Sequence, residues 1–306
     1  MVAPSGEQFE ITGGGYRAVV TECGGGLRTL EHDGRPLVLG FGEDEHATSG
    51  RGQLLAPWPN RIRGGAYSFD GRNLQLPLSE PARRNASHGL VRWAAWSVEE
   101  MTAHSVSQTC RLMSQAGYPW TVDLHVLHDL SAEGLTVTVT ATNLSASPAP
   151  YALGAHPYLQ AGPGPVDGWE LTLPAATRLL TDDQLIPVGR EDVRDTDLDF
   201  RMARPIRSTS LDTAFADLDR DASGRVEVLL RDPAADQGVV LWMDAKHSYV
   251  QVFTGDELPQ HARASLAVEP MTAPPDAFNS GEGLVVLAAA GSAGDEHSAS
   301  WGIRAL

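Results

Sequence analysis

From residue 135 to residue 143 the chain alternates without a break. Leu135, Val137, Val139 and Ala141 interleave with Thr136, Thr138, Thr140 and Thr142. A period of two with β-branched residues on both faces suits a pleated strand and cannot line one face of a helix. Trp120, Val122, Leu124 and Val126 repeat the pattern over 120–127. Further strands are expected over 16–22, 105–113, 169–173, 225–230, 238–243, 249–254 and 265–269. Turn pairs separate apolar segments at Asp33-Gly34, Asp70-Gly71, Glu133-Gly134 and Ser223-Gly224. No amphipathic helix of three turns is found. Many short strands and turns, with 31 Gly and 20 Pro, point to an all-β sandwich or barrel.

A chain of 306 residues allows one domain or two and a sizeable core. The Pro-, Gly- and Ala-rich stretch 145–168 resembles a tether, but Tyr151-Ala-Leu-Gly-Ala-His-Pro-Tyr158 is too aromatic for one. One domain over 1–306 is expected. The net charge, 23 − 39 = −16, argues against a nucleic-acid partner and against an anionic membrane surface. Lys246, the only lysine, stands in a polar Asp-Ala-Lys-His turn and is a poor Schiff-base candidate. Cys23 and Cys110 are too few for a disulfide framework or a zinc site; two inert thiols are expected, and one long-range disulfide stays open. The first eight residues lack a basic or apolar leader segment, and the apolar run 284–290 is too short to span a bilayer. A cytoplasmic protein is expected.

No phosphate loop, dinucleotide fingerprint or Gly-x-Ser-x-Gly elbow occurs. His125 and His128, three apart on a strand, face opposite sides and do not pair on a metal. No metal site is expected.

Five segments carry candidate chemistry. Asn60-Arg61-Ile62 follows Pro57-Trp58-Pro59, so restricted backbone holds an amide and a guanidinium in place; a surface ion pair is the plainer alternative. Ser87-His88-Gly89 offers one imidazole and His156-Pro157 another. A residue before proline is pushed to extended backbone, which makes His156 a candidate general acid. Asp212 precedes Thr213, as a turn or cap residue also would. Gln251 lies in Val250-Gln-Val-Phe253, and Glu269 ends an apolar strand before Pro270, placed to act as a base. Each alone has a structural explanation. Together with Trp58, Tyr158, Phe215 and Phe253 they supply the polar groups and aromatic faces that a sugar ring requires.

In order and spacing these segments resemble the aldose 1-epimerase (galactose mutarotase) family. The resemblance rests on Asn60-Arg61-Ile62 with Gly65-x-Tyr67-x-Phe69-x-Gly71, on His88-Gly89, and on His156-Pro157-Tyr158. It continues through Asp212-x-x-Phe215, Val250-Gln251-x-Phe253-Thr254-Gly255, and Glu269-Pro270 with Pro275-Asp276-Ala277-x-Asn279. It implies a large β-supersandwich with an open sugar cleft and no cofactor. It implies that Glu269 takes the proton from the C1 hydroxyl, that His156 protonates the ring oxygen, and that His88 assists at the ring or C1 oxygen. It implies that Arg61, Asp212 and Gln251 hold sugar hydroxyls, with Asn60 lining the cleft. A small-molecule sugar would be the ligand of a monomer or homodimer. Mutarotation requires an acid and a base in different protonation states, and a His kept charged beside an ionised Glu would supply them.

The chain departs from the family pattern at Pro57-Trp58-Pro59 and at His88-Gly89-Leu90-Val91-Arg92, which is closer to the hexose-6-phosphate epimerase branch. Arg83, Arg84 and Arg92 are then candidates for a phosphate. The net charge of −16 favours an unphosphorylated aldose. A non-catalytic sugar-binding module is the third reading; it would need Arg61 and the aromatics but neither Glu269 nor His156.

Overall fold

A computed structural model describes residues 2–306. Among them the chain forms a nine-stranded and an eight-stranded antiparallel sheet, a four-stranded N-terminal sheet and three two-stranded ladders. No long helix occurs among the described residues; the one α-helical turn is Ala277–Ser280.

The alternating segment is the strand Gly134–Asn143, at the centre of the nine-stranded sheet between Val122–Ser131 and Glu296–Ala305. Its Leu135, Val137, Val139 and Ala141 are buried, and its threonines are partly open. The other expected strands form with ends shifted by no more than four residues. Sequence reasoning left out Gln8–Gly13, Leu27–His32, Ala175–Thr181, Pro187–Asp192, Asp212–Leu218 and Glu296–Ala305. Asp33-Gly34 and Asp70-Gly71 make tight hairpin turns, with both residues of each pair at positive φ.

The two large sheets share one core. Leu124, Val126, Val137 and Leu241 of the first meet Phe215, Val250, Val252 and Val268 of the second. The stretch 145–168 is part of this packing: Tyr151, Tyr158 and Leu159 are buried, and it contributes three short strands. It is not a tether. Trp58 and Phe215, expected beside a sugar, are core residues instead. Trp58 packs edge-on against Phe278 at 5.6 Å. Cys110 is buried, Cys23 is half-buried, and both are free thiols.

His128 lies on the core side of its strand, fully buried, while His125 on the other side pairs with Glu99 in partial solvent. Burial holds the His128 imidazole neutral and drives its pKa down to about 3. A depressed histidine contributes stability above its unfolded pKa near 6.5 and loses it as pH falls toward the folded value. His128→Leu removes that dependence. The wild type is expected to lose about 2 kcal/mol relative to the variant between pH 7 and pH 5, checked by urea unfolding at both values.

Candidate active site

The eight-stranded sheet has one face in the core and one open to a cleft. Register decides which side chains go where. Gln251 pairs with Glu269, and Phe253 pairs with both Asp212 and Ala267. Directly opposed residues share a face, so Asp212, Gln251 and Glu269 project together from three neighbouring strands. The apolar residues between them, Val250, Val252 and Val268, take the opposite face. Alternation of valine with polar residues thus builds half the core and the floor of the cleft in one stroke.

His156 enters from the same sheet, just beyond the short strand Gly154–Ala155. Its backbone is tied on both sides: its N–H donates to Gln53 O at 3.1 Å, and its carbonyl accepts from Gly52 N at 3.0 Å. Its ring stacks on Tyr158 with centroids 4.9 Å apart and planes 6° off parallel. The Tyr158 hydroxyl donates to Ser49 O at 2.9 Å. Gly50 closes over the imidazole so tightly that a Cβ there would sit 2.6 Å from His156 Cδ2.

The remaining groups come from the ladder of Arg61–Arg63 with Asn85–Ser87, in which Arg61 opposes Ser87. The His88 N–H donates to Asn60 O at 2.7 Å. Asn60 and His88 both have left-handed backbone, with φ of 53° and 61°, a conformation that non-glycine residues adopt mainly where surrounding structure enforces it. Gly89 supplies the close approach: a Cβ there would lie 2.0 Å from Ala56 O. His88 and His156 meet edge to face, centroids 5.5 Å apart.

All seven residues singled out in the sequence line one cleft of about 320 Å³: Asn60, Arg61, His88, His156, Asp212, Gln251 and Glu269. Gln251 Nε2 donates to Asp212 Oδ1 at 2.5 Å. His156 Nε2 stands 3.4 Å from Glu269 Oε1, with both side chains almost fully buried. Arg92, raised as a phosphate candidate, also lines the cleft; Arg83 pairs instead with Glu80, and Arg84 is exposed outside it.

The electrostatics overturn one expectation. Burial, reinforced by Asp212, pushes the Glu269 carboxyl well above the carboxylate range, and Arg61 only partly opposes this. Burial also drives His156 down to about 3, helped by the positive charges of Arg92 and Arg61. His88 is lowered for the same reason, with His156, Arg92 and Arg61 adding to it. Both shifts favour the uncharged forms, carboxylic acid beside imidazole, over carboxylate beside imidazolium. Both forms hold the same number of protons and differ only in which atom carries one. Such a pair can take a proton from one oxygen and hand another to a neighbouring oxygen with no net exchange.

Sequence reasoning missed Glu80. It lines the cleft and grips Arg61 through two hydrogen bonds, to Nε at 2.8 Å and Nη2 at 3.1 Å. The signal was present: Glu80 precedes Pro81, as His156 precedes Pro157 and Glu269 precedes Pro270. Among the described residues no group of three or more His, Cys, Asp and Glu is arranged to hold a metal ion. None of the described helices is long and apolar enough to cross a membrane.

The fold and the site define a class: a large β-sandwich whose open sheet face carries a buried carboxyl–imidazole pair among amide and guanidinium groups. The comparisons make the class specific. The aldose 1-epimerase family profile matches residues 7–298, and the chain belongs to that family. It is 36% identical to the Escherichia coli K12 protein YihR, described as uncharacterized, over 92% of this chain and 89% of that one. It resembles the crystal structure of a putative aldose 1-epimerase from E. coli K12 with a TM-score of 0.85 at 20% identity, covering 98% and 99% of the two chains. A GalM/aldose epimerase homologue from C. elegans matches equally well, with a TM-score of 0.85 at 20% identity over 97% and 98%.

A raised folded pKa contributes stability that is complete below the unfolded pKa and is lost as pH rises toward the folded one. Glu269→Gln escapes that loss. The variant is expected to gain on the wild type as pH rises from 4.5 to 8, read as a widening difference in urea midpoint.

Proposed function

We propose that this protein is an aldose 1-epimerase that interconverts the α and β anomers of a hexopyranose such as glucose or galactose. The observation that carries the reading is the 3.4 Å approach of His156 Nε2 to Glu269 Oε1 on the cleft floor. Transfer of the Glu269 proton to His156 as the sugar binds gives the carboxylate–imidazolium form. Glu269 takes the proton of the C1 hydroxyl, the O1 electrons form the carbonyl, and the C1–ring oxygen bond breaks. His156 protonates the departing ring oxygen. The aldehyde turns about C1–C2, and the reverse transfers close the ring with the other configuration. Glu269 and His156 exchange roles on closure, so the pair ends as it began.

The surrounding groups support this allocation. His88 stands edge-on to His156 and assists at the ring or C1 oxygen. Arg61, Asn60, Asp212 and Gln251 offer donors and acceptors to the hydroxyls, and Tyr158 and Phe253 offer aromatic surface. All of these come from one chain, acting as one domain over 1–306. A purely sugar-binding module would have no use for a buried carboxyl and imidazole at such close range, which carries a stability cost.

Arg92 favours a second reading of the substrate. Arg92 lines the cleft, its guanidinium carbon lies 5.8 Å from the Trp93 ring centroid, and among the described residues it makes no ion pair with a carboxylate, on a strongly acidic protein. Burial lowers its pKa, a direction that an anion would reverse. A hexose carrying a phosphate or another oxyanion answers that geometry.

The test is polarimetry on freshly dissolved α-D-glucose, α-D-galactose and a hexose 6-phosphate. Glu269→Gln is expected to lose about 10²–10⁴-fold in turnover while still binding sugar. Near-normal turnover in that variant would remove Glu269 as the base. Arg92→Gln is expected to raise KM for the phosphorylated sugar alone if the anionic reading holds. Equal effects on all three sugars would return the choice to a neutral aldose.

A further inference from the structure

Arg61 is the strongest cation facing the proposed base. Its charge acts on Asp212, Glu269 and Glu80 together. Asp212 and Glu269 line the same cleft. An ion pair with Glu269 would stabilise the carboxylate and weaken it as a base. The structure directs the guanidinium elsewhere. Glu80 accepts from both Nε and Nη2, the fork geometry in which arginine and carboxylate hold one another most firmly. Both side chains are largely withdrawn from solvent, 12% and 19% exposed, so this is not a loose surface pair.

Glu80 is itself fixed. Its backbone N–H donates to Asn85 O at 3.0 Å, and Asn85 N donates back to Glu80 O at 3.2 Å, closing a short hairpin. Arg83 Nη1 donates to Glu80 Oε1 at 3.0 Å. Asn85 Nδ2 lies 3.4 Å from Glu80 Oε2 and donates also to Gln184 O at 2.8 Å. Gln184 Nε2 donates in turn to Arg83 O at 3.0 Å. The hairpin is therefore braced by a second loop, and the carboxylate has little freedom. Hydrogen bonds from Arg61, Asn85 and Arg83 outweigh burial and hold Glu80 below the usual carboxylate range.

We propose that Glu80 is the positioning residue of this site: it turns the Arg61 guanidinium away from Glu269 and leaves its Nη1 edge, shared with Asn60 Oδ1 at 3.3 Å, for the sugar. Glu80 touches no reacting atom in this scheme. It acts through Arg61, on substrate affinity and on the proton affinity of the base. The inference rests on the epimerase reading and extends it from the acid–base pair to the group that keeps the pair usable.

Glu80→Gln keeps the shape and removes the charge; Glu80→Asp keeps the charge and shortens the reach. Anomer exchange measured by NMR, with thermal unfolding as a control, separates the possibilities. Glu80→Gln is expected to raise KM about 10-fold, with a smaller fall in kcat. The acid limb of its kcat/KM profile is expected to move to lower pH, because Arg61 released toward Glu269 favours the carboxylate. Glu80→Asp is expected to recover part of both changes. A purely structural role would lower the unfolding temperature and leave the acid limb in place, and that result overturns the proposal. So does a variant indistinguishable from wild type in KM and pH profile. A wild type that does not accelerate anomer exchange defeats the epimerase reading instead. D-galactose titration then decides the Glu80 question: a Kd unchanged by Glu80→Gln, or no binding at all, overturns it.

Discussion

One constraint organises the molecule: in a β-strand consecutive side chains point to opposite faces. The strands Tyr249–Phe253 and Leu266–Met271 obey it with valines on one side and Gln251 and Glu269 on the other. The same few residues close the core and floor the cleft. A register slip of one residue would send Glu269 into the sandwich interior and a valine into the cleft. The geometry of the cleft floor and the stability of the fold therefore rest on the same hydrogen-bonded ladder, and the candidate site occupies sheet instead of hanging on loops alone. The parts that do come from loops are pinned by backbone contacts: His88 through Asn60, His156 through Gln53 and Gly52.

The fold class was legible because period two is a local property. Nine expected segments became strands, and two Asp-Gly pairs made the anticipated turns. What stayed hidden depends on pairing between distant segments. Glu296–Ala305 is a ten-residue strand, but its apolar alternation, Ala299, Trp301, Ile303 and Ala305, begins only at its fourth residue and is weakened by two alanines. It holds its place by pairing with Gly134–Asn143 on one side and Gln237–Met243 on the other. Asp212–Leu218 likewise shows no clean alternation, because Ala214, Phe215 and Ala216 are all buried, two against the open-face elements and one in the core.

The candidate site was legible as a set of residues but not as an electrostatic state. Proline following His156 and Glu269 signalled restricted backbone, and both side chains do converge. Their protonation could not be anticipated, because it depends on depth of burial and on which cations face the pair. Glu80 shows the complementary failure. It carried the same proline signal, but its meaning lies in Arg61, and a fork between residues 61 and 80 is invisible until the hairpin closes. Trp58 and Phe215 show that an aromatic near a motif in sequence can still belong to the interior.

The carboxyl–imidazole pair has one further consequence. Anomer exchange of a free sugar in water borrows its acid and base from solvent and buffer. In the proposed scheme both functions fall to two buried side chains 3.4 Å apart, which hold the same number of protons before ring opening and after reclosure. On that scheme each turnover is self-contained: nothing is drawn from the medium and nothing is returned to it. A cleft with that property can be lined by backbone as closely as Gly50 lines His156, since it needs an entrance for the sugar but no separate channel for protons.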